Sequence, residues 1–363
     1  MKSPYVSELQ PNQIVTSLFL VHAKEVRQKK SGEPYLSLIL GDRTGDLDAK
    51  MWENAAEVMD TFERDDFVRV KGLLNVYQNR PQLTLHKIQK VAESEVDPGD
   101  FFPVSERPIE EMVAELHGVV AGIGNPHLKA LIESLLGDER VAALYQRAPA
   151  AKTVHHAYLG GLLEHVLSMC ALAGFTASHY QGIDRDLLMA GALLHDIGKI
   201  HELSYERGFA YTTEGQLLGH ITMGICMVEE KLRALPDFPP RLRVLVEHMI
   251  LSHHGRLEFG SPKEPLFPEA QLLHHLDDMD SKMECLRSLI AHDRQVEGEW
   301  TGFSHPLERS VLKKLVYLEG GQKKPDVPAT PAPAPPPARR SANTAFGEKL
   351  LGALGAPPPR EAT

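Results

Sequence analysis

A change of hydrophobic period about a quarter of the way along the chain limits its fold more than any other feature. Up to residue 95 the apolar residues come in β-rich runs, "QIVTSLFLVHAKEVR", "PYLSLILGD", "TGDLDAKMW" and "DFVRVKGLLNVYQNRPQLTLHKIQKV". β-branched and aromatic residues with polar breaks between the runs predict strands. From Ile109 onward they recur three and four apart, as in "IEEMVAELHGVVAGI", "PHLKALIESLLGD" and "RVAALYQRAP", which is the period of helices. Between the two lies "EVDPGDFFPVSERP", whose Pro, Gly and Asp suit neither pattern. The chain must therefore build two bodies, one of strands and one of helices.

In the first body the order is three strands, a short helix in "ENAAEVMDTF", and two strands that turn near Gln78 to Pro81. That is the order of an OB-type Greek-key barrel. The expected organisation is a barrel over 1–95, a linker and helical segment over 96–150, an all-α domain over 151–320 and a tail over 321–363. The tail, with "PDVPATPAPAPPPARR" near its start, is too rich in Pro to pack and is expected to be disordered, with "FGEKLLGAL" as its one candidate for docking on an unknown partner.

With 42% hydrophobic and 24% charged residues over 363 positions, the chain can bury two ordinary soluble cores. Its net charge of −10 argues against general electrostatic capture of a polyanion, so a nucleic acid would be held by local basic groups, stacking or metal ions. No apolar run reaches about 18 residues and "MKSPYVSELQPNQ" has no signal-peptide core, so the expectation is a cytoplasmic protein without a membrane partner. Cys170, Cys226 and Cys285 are scattered, with no CxxC pair, and predict neither a disulfide framework nor a zinc knuckle.

Histidine is unevenly placed, with 14 of the 18 between His155 and His305. In "AGALLHDIGKI", His195, Asp196 and Lys199 interrupt an apolar helical run and are expected to project from one end of a single helix. An ionised Asp among leucines costs several kcal/mol, about a hydrogen-bond desolvation or more, unless something pairs with it. His165 in "GGLLEHVLSM", His220 in "LLGHITMG", His253 and His254 in "LSHHG", and Asp277 in "LLHHLDDMDSKM" are likewise polar residues in apolar helices. Any one alone reads as a hydrogen-bonded core residue. Together, imidazoles and carboxylates suit divalent Mn, Fe, Co, Ni or Zn, and a bridging carboxylate can hold two such ions.

The order His165, His195-Asp196, Asp277 resembles the ligand pattern of the HD superfamily of metal-dependent phosphohydrolases, and His220 with His253 or His254 matches its two-metal members. More closely, "HHAYLGGLLEHVLSM", "GALLHDIGKI", "YTTEGQLLGHI", "SHHGRLEFGSP" and "EAQLLHHLDDMDSKM", behind an OB-like domain, look like the YhaM-type 3′-5′ exoribonucleases over about residues 5 to 315. The resemblance implies a manganese-dependent exonuclease acting from the 3′ end of single-stranded RNA, with DNA as a further substrate. In the last motif the family spacing selects Asp277 as ligand over Asp278, with Asp280 behind it. Two readings compete: a phosphodiesterase or nucleotidase for small nucleotides, and a non-catalytic OB binding module.

On the leading reading Asp196 bridges two cations, and Lys199 contacts the scissile phosphate and stabilises its developing charge. Lys199 could otherwise be a helix-end surface charge. His155 and His156 either hold a phosphate or leaving group or cap the next helix. Arg256 is a candidate for the adjacent phosphate and Tyr211 for stacking or sugar contact, while Glu164 belongs at the surface or behind the ligands. On the barrel, Tyr35, Trp52 and Tyr77 are candidate stacking platforms, and Lys24, Lys29, Lys30, Arg80 and Lys87 candidate phosphate contacts. Residues 1–95 carry 13 Lys/Arg against 14 Asp/Glu, so binding there should be weak and salt-sensitive. The oligomeric state is left open.

Overall fold

The structure, a computed structural model, describes residues 2–77, 80–153, 155–205, 208–293 and 298–319. The expected turn at Gln78 and the tail beyond residue 319 lie outside the described residues. Strands β1 (Ile14–Gln28), β2 (Pro34–Asp42), β3 (Gly45–Met51), β4 (Phe67–Tyr77) and β5 (Arg80–Lys90) close a barrel in the order β1-β2-β3-β5-β4. The β3–β5 seam is parallel and the other pairs are antiparallel. Period-two alternation sends Val15, Phe19, Val21, Leu36, Leu38, Leu40, Leu47, Ala49, Met51 and Leu83 inward. The helix between β3 and β4, α1 (Ala55–Val58), is a single turn.

The N-terminal segment ties the barrel to the join. Asp42, at the β2–β3 turn, accepts from the Val6 and Thr44 amides at 2.8 Å and pairs with Lys2. Asp100, in the join, accepts from the Lys2 amide at 2.9 Å and from the Tyr5 hydroxyl. Beside it Phe101 and Phe102 bury against Leu20, Phe67 and Val91 of the barrel and against the helical core. Residues up to Lys313 thus form one compact unit, and α11 (Lys314–Leu318) follows it in the chain.

The helical body begins at Ile109, where the period of the sequence changes. α2 (Ile109–Ala121), α3 (Pro126–Leu136) and α4 (Glu139–Arg147) bury Met112, Leu116, Leu128, Leu131, Leu135 and Tyr145 in the same core as α5 (Gly161–His179) and α6 (Arg185–Leu194). Their apolar faces need that partner, so the helical segment 109–147 shares one core with α5 and α6. Around α5 and α6 lie α7 (Lys199–Glu202), α8 (Thr213–Leu232), α9 (Pro240–Ser252) and α10 (Pro268–His292), with a small ribbon of β6 (Leu203–Ser204) and β7 (Ala210–Tyr211). By length and composition α5 could cross a membrane, but here half of its apolar window is buried inside the protein. Cys170 packs in this core, and Cys226 is exposed.

One local expectation is corrected. His195, Asp196 and Lys199 do not share a helix: α6 ends at Leu194, His195 to Gly198 form a turn, and Lys199 opens α7. The turn is pressed onto α8. A Cβ on Gly198 would lie 2.0 Å from the His220 carbonyl oxygen and 2.7 Å from the Gly224 amide nitrogen. Backbone atoms cannot give way as a flexible side chain can, so Gly198→Ala should destabilise the fold by about 1–3 kcal/mol. Thermal melts of the chelator-treated protein would show this as a lowered Tm; an unchanged Tm would mean that α8 moves freely.

Candidate metal centre and nucleic-acid interface

The Asp196 carboxylate, 1% exposed, is the hub of the site. Its Oδ2 lies 3.3 Å from His195 Nε2 and 3.8 Å from His165 Nε2, and takes a 2.6 Å hydrogen bond from Lys199 Nζ. On the same side Asp277 Oδ1 is 3.4 Å from His165 Nε2 and 3.9 Å from His195 Nε2. The other oxygen, Oδ1, faces His220 Nε2 at 3.5 Å and His253 Nε2 at 3.6 Å. His165, His195 and Asp277 form one group with potential ligand atoms within 4.8 Å of one another, and His220, His253 and His254 form another. Asp196 stands between them.

An acceptor behind each ring aims it. His195 and His253 follow the last residues of α6 and α9, and their Nδ1 atoms donate to Ala192 O at 3.0 Å and Ile250 O at 2.8 Å. These are end-of-helix carbonyls that lack an intrahelical partner. His220 follows Gly219, whose φ of 72° and ψ of 155° interrupt α8. A side chain would be strained in that conformation. The kink lets Glu202 Oε1 accept from both the His220 amide (2.9 Å) and its Nδ1 (3.0 Å). His254 Nδ1 donates to Phe259 O at 2.9 Å, and His165 Nδ1 to Asp280 Oδ2 at 2.8 Å. Each ring thereby keeps Nε2 as its potential ligand atom, and those of His165 and His195 lie 3.2 Å apart.

The donor set fits divalent cations. Asp196 Oδ1, His220 Nε2 and His253 Nε2 are buried without a hydrogen-bond partner. An uncompensated cluster of that kind is costly unless a cation completes it. Ligand bonds of about 2.0–2.2 Å set neighbouring donors roughly 3–3.5 Å apart, near the spacings seen here. Burial, then the charges of His254 and His195, hold His253 well below its usual pKa, and burial does the same to a lesser degree for His254, so both are neutral ligands. Burial also opposes ionisation of Asp196 and Asp277, but Lys199 and His195 around the first and His165 beside the second outweigh it and keep both carboxylates charged. Lys199, 9% exposed, keeps its proton against burial because Asp196 faces it.

Most of the expected ligands thus converge, and the other candidates scatter. His155 lines the cleft with Lys199, and burial followed by the Lys199 charge lowers its pKa to about 3, so it is a neutral ring there. His156 is not at the cleft: it is buried, with Nδ1 2.8 Å from the Tyr158 hydroxyl and Nε2 3.2 Å from Asp280. Neither caps α5, whose N-cap is Gly160. Asp280 also accepts from Ser168 and so anchors His165 from behind, while Asp278 pairs with Lys282. Glu164 accepts from Ser105 Oγ at 2.6 Å. Tyr211 is exposed on β7 with Lys152 Nζ 5.9 Å from its ring centroid, and Arg256 is exposed beside Glu258. Glu202 carried no sequence signal, because its role depends on the Gly219 kink.

On the barrel, Tyr35 and Trp52 stack on each other with centroids 4.5 Å apart, and Tyr77 is exposed at the end of β4. Arg80 lines a hollow of about 470 Å³ with Arg27 and Lys50 and with Glu25, Asp46 and Asp48. Lys24 is unavailable to phosphate, since its ammonium donates to Phe62 O and pairs with Glu63 at 3.2 Å. Lys29 pairs with Glu33 at 3.1 Å, whereas Lys30 and Lys87 are exposed.

An OB barrel joined to a helical His/Asp centre defines a class: nucleic-acid-binding phosphohydrolases. Residues 162–282 match the HD domain family and 21–91 the OB-fold nucleic acid binding domain family. A family described as a putative helicase matches 108–182, although that stretch holds no G-x-x-x-x-G-K-S/T phosphate loop. The 3′-5′ exoribonuclease YhaM of Bacillus velezensis is 36% identical over 308 residues, covering 84% of this chain and 95% of its own. Its Bacillus subtilis counterpart is 37% identical over 288 residues, covering 79% and 90%. The second OB-fold domain of replication protein A from Methanococcus maripaludis is 25% identical, covering 24% of this chain and 93% of its own, with a TM-score of 0.21. The chain belongs to the YhaM 3′-5′ exoribonuclease family.

Two outcomes are expected from the geometry. Glu202→Ala frees the His220 ring and should weaken divalent-cation binding about 10–100-fold, read by titration calorimetry against chelator-treated protein; equal affinity would show that Glu202 does not orient the ligand. The second outcome concerns pH. Burial disfavours a proton on His165, but the hydrogen bonds and charges of Asp277 and Asp280 outweigh it and raise its pKa from 6.5 to about 9. In metal-free protein that raised pKa adds stability that is complete below pH 6.5 and is lost as pH rises through 9, on the order of 3 kcal/mol. Melts in chelator should fall over that window, and bound cation, by displacing the proton, should flatten the fall.

Proposed function

We propose that this protein is a hydrolytic nuclease that removes nucleotides from the 3′ end of single-stranded RNA, and also of DNA, with two divalent cations, manganese first, held on either side of Asp196. The observation that carries this reading is that the two oxygens of one buried carboxylate address two separate imidazole groups, and that Oδ1 and the two Nε2 atoms it faces, on His220 and His253, are buried without a hydrogen-bond partner. His165, His195 and Asp277 would hold one cation, and His220, His253 and His254 the other. When bound, such cations supply Lewis acidity, lowering the pKa of water and neutralising charge on a phosphodiester.

The chain's own groups account for the rest. Lys199 Nζ, fixed 2.6 Å from Asp196 Oδ2, places a permanent positive charge at the cleft wall, where it stabilises charge that develops on the phosphoryl oxygens. His155, neutral beside it, offers a ring nitrogen to the strand. Water adds to phosphorus, the bond to the preceding sugar oxygen breaks, and a nucleoside monophosphate leaves. The cleft of about 240 Å³ suits one strand end better than a duplex. The barrel adds a platform for single strands, and the setting is the cytoplasm.

The test is a time course on 5′-labelled single-stranded RNA with chelator-treated protein, with added manganese, and with Asp196→Ala. A ladder shortening from the 3′ end is expected only with metal, and Asp196→Ala should slow it by at least about 10³-fold. RNA left whole while small cyclic or linear nucleotides are hydrolysed would replace this reading.

A further inference from the structure

At the mouth of the metal cleft one aromatic ring is held in water, and neither the cation site nor the phosphate contacts use it. Phe259 is 60% exposed, yet it lines the same cleft as His155, Lys199, His253, His254 and Asp277. Its carbonyl accepts the 2.9 Å hydrogen bond from His254 Nδ1, which ties the residue carrying the ring to a ligand side chain. The loop is closed on itself: the Phe259 and Ser261 amides donate to Arg256 O at 3.1 and 3.2 Å, and the Gly260 amide to Leu257 O at 3.0 Å. The Ser261 hydroxyl is positioned to donate to Leu251 O (3.0 Å) or Lys263 O (2.7 Å). The Arg256 guanidinium stands 6.0 Å from the ring centroid.

We propose that Phe259 is a positioning residue that stacks on the base next to the scissile phosphate at the 3′ end of the strand. The inference rests on the nuclease reading. Cations and Lys199 would grip the phosphate and cannot hold the base beside it. An aromatic face can, and does so for every base, because each has a π-face to offer. The fixed loop means that little ordering is needed when the base arrives.

The test compares wild type, Phe259→Ala and Phe259→Trp on single-stranded RNA with an ordinary or an abasic 3′-terminal nucleotide, and on bis(p-nitrophenyl) phosphate, with light scattering to record assembly. Phe259→Ala should raise KM for ordinary RNA about 5- to 100-fold more than it affects the small diester, and Phe259→Trp should restore it. The abasic end should cost the wild type a similar factor and cost Phe259→Ala little. An equal abasic penalty in both proteins overturns the proposal. So does an equal loss on RNA and diester, which would assign the ring to the fold, or a loss that tracks altered assembly, which would assign it and exposed Leu257 to an interface between copies. A wild type inactive on RNA would instead overturn the nuclease reading itself.

Discussion

The Asp196 carboxylate, almost fully buried and facing ligand groups from both oxygens, is the constraint to which the rest of the helical body answers. Desolvating it costs several kcal/mol, a sum that only opposite charge at contact distance can offset. Lys199 supplies one such charge at 2.6 Å, but to Oδ2 alone. Oδ1 meets two imidazole nitrogens that make no hydrogen bond, and burial keeps the His253 ring neutral, so Oδ1 itself is left without a partner. A core built only for stability would replace such a group with a leucine. Its presence is intelligible if cations complete the site, because the penalty of burial then becomes the source of affinity.

Helix ends do the positioning. His195 and His253 both cap the helix that carries them, and both turn Nδ1 back to the carbonyl three residues earlier. Ending a helix at the ligand thus satisfies a spare carbonyl, selects the tautomer with a bare Nε2, and brings the negative end of the helix dipole toward a cation. This explains why α6 stops at Leu194 although "AGALLHDIGKI" could continue it by periodicity. Continuing the helix would return that carbonyl to the backbone ladder and leave His195 without its anchor. The tight seat of Gly198 against the His220 carbonyl shows how closely the two ligand groups are packed together once the helix breaks.

The barrel and the helical body were legible because their periods differ, and period is a property of local sequence. The ligand groups were legible because polar residues in apolar helices need an explanation, and the resemblance supplied the order. What stayed hidden depends on backbone breaks. The turn at His195 to Gly198, the Gly219 kink and therefore the part played by Glu202 arise from packing between α7 and α8, to which a helical pattern is blind. At 109–147 the helical period was legible, but not that these helices share one core with α5 and α6. Lys24 and His156 looked available because sequence does not reveal partners distant in the chain, and each is already engaged by such partners.

The charge pattern of the barrel divides the labour between the two bodies. At the β1–β3 side of the barrel Arg27 lies beside Glu25, Lys50 beside Asp48 and Lys29 beside Glu33, so each of these three basic groups has an acidic neighbour within a few ångströms. Such pairs cancel beyond about one Debye length, roughly 8 Å, and leave little long-range attraction for a polyanion. Tyr35 and Trp52 already stack on each other, and Trp52 stays exposed. A surface of this kind can hold a strand by stacking and yet release it one step at a time. On the proposed function that is what the enzyme requires: a tightly gripping barrel would stall the strand after each cut, whereas a weak one lets the metal centre decide which nucleotide is removed.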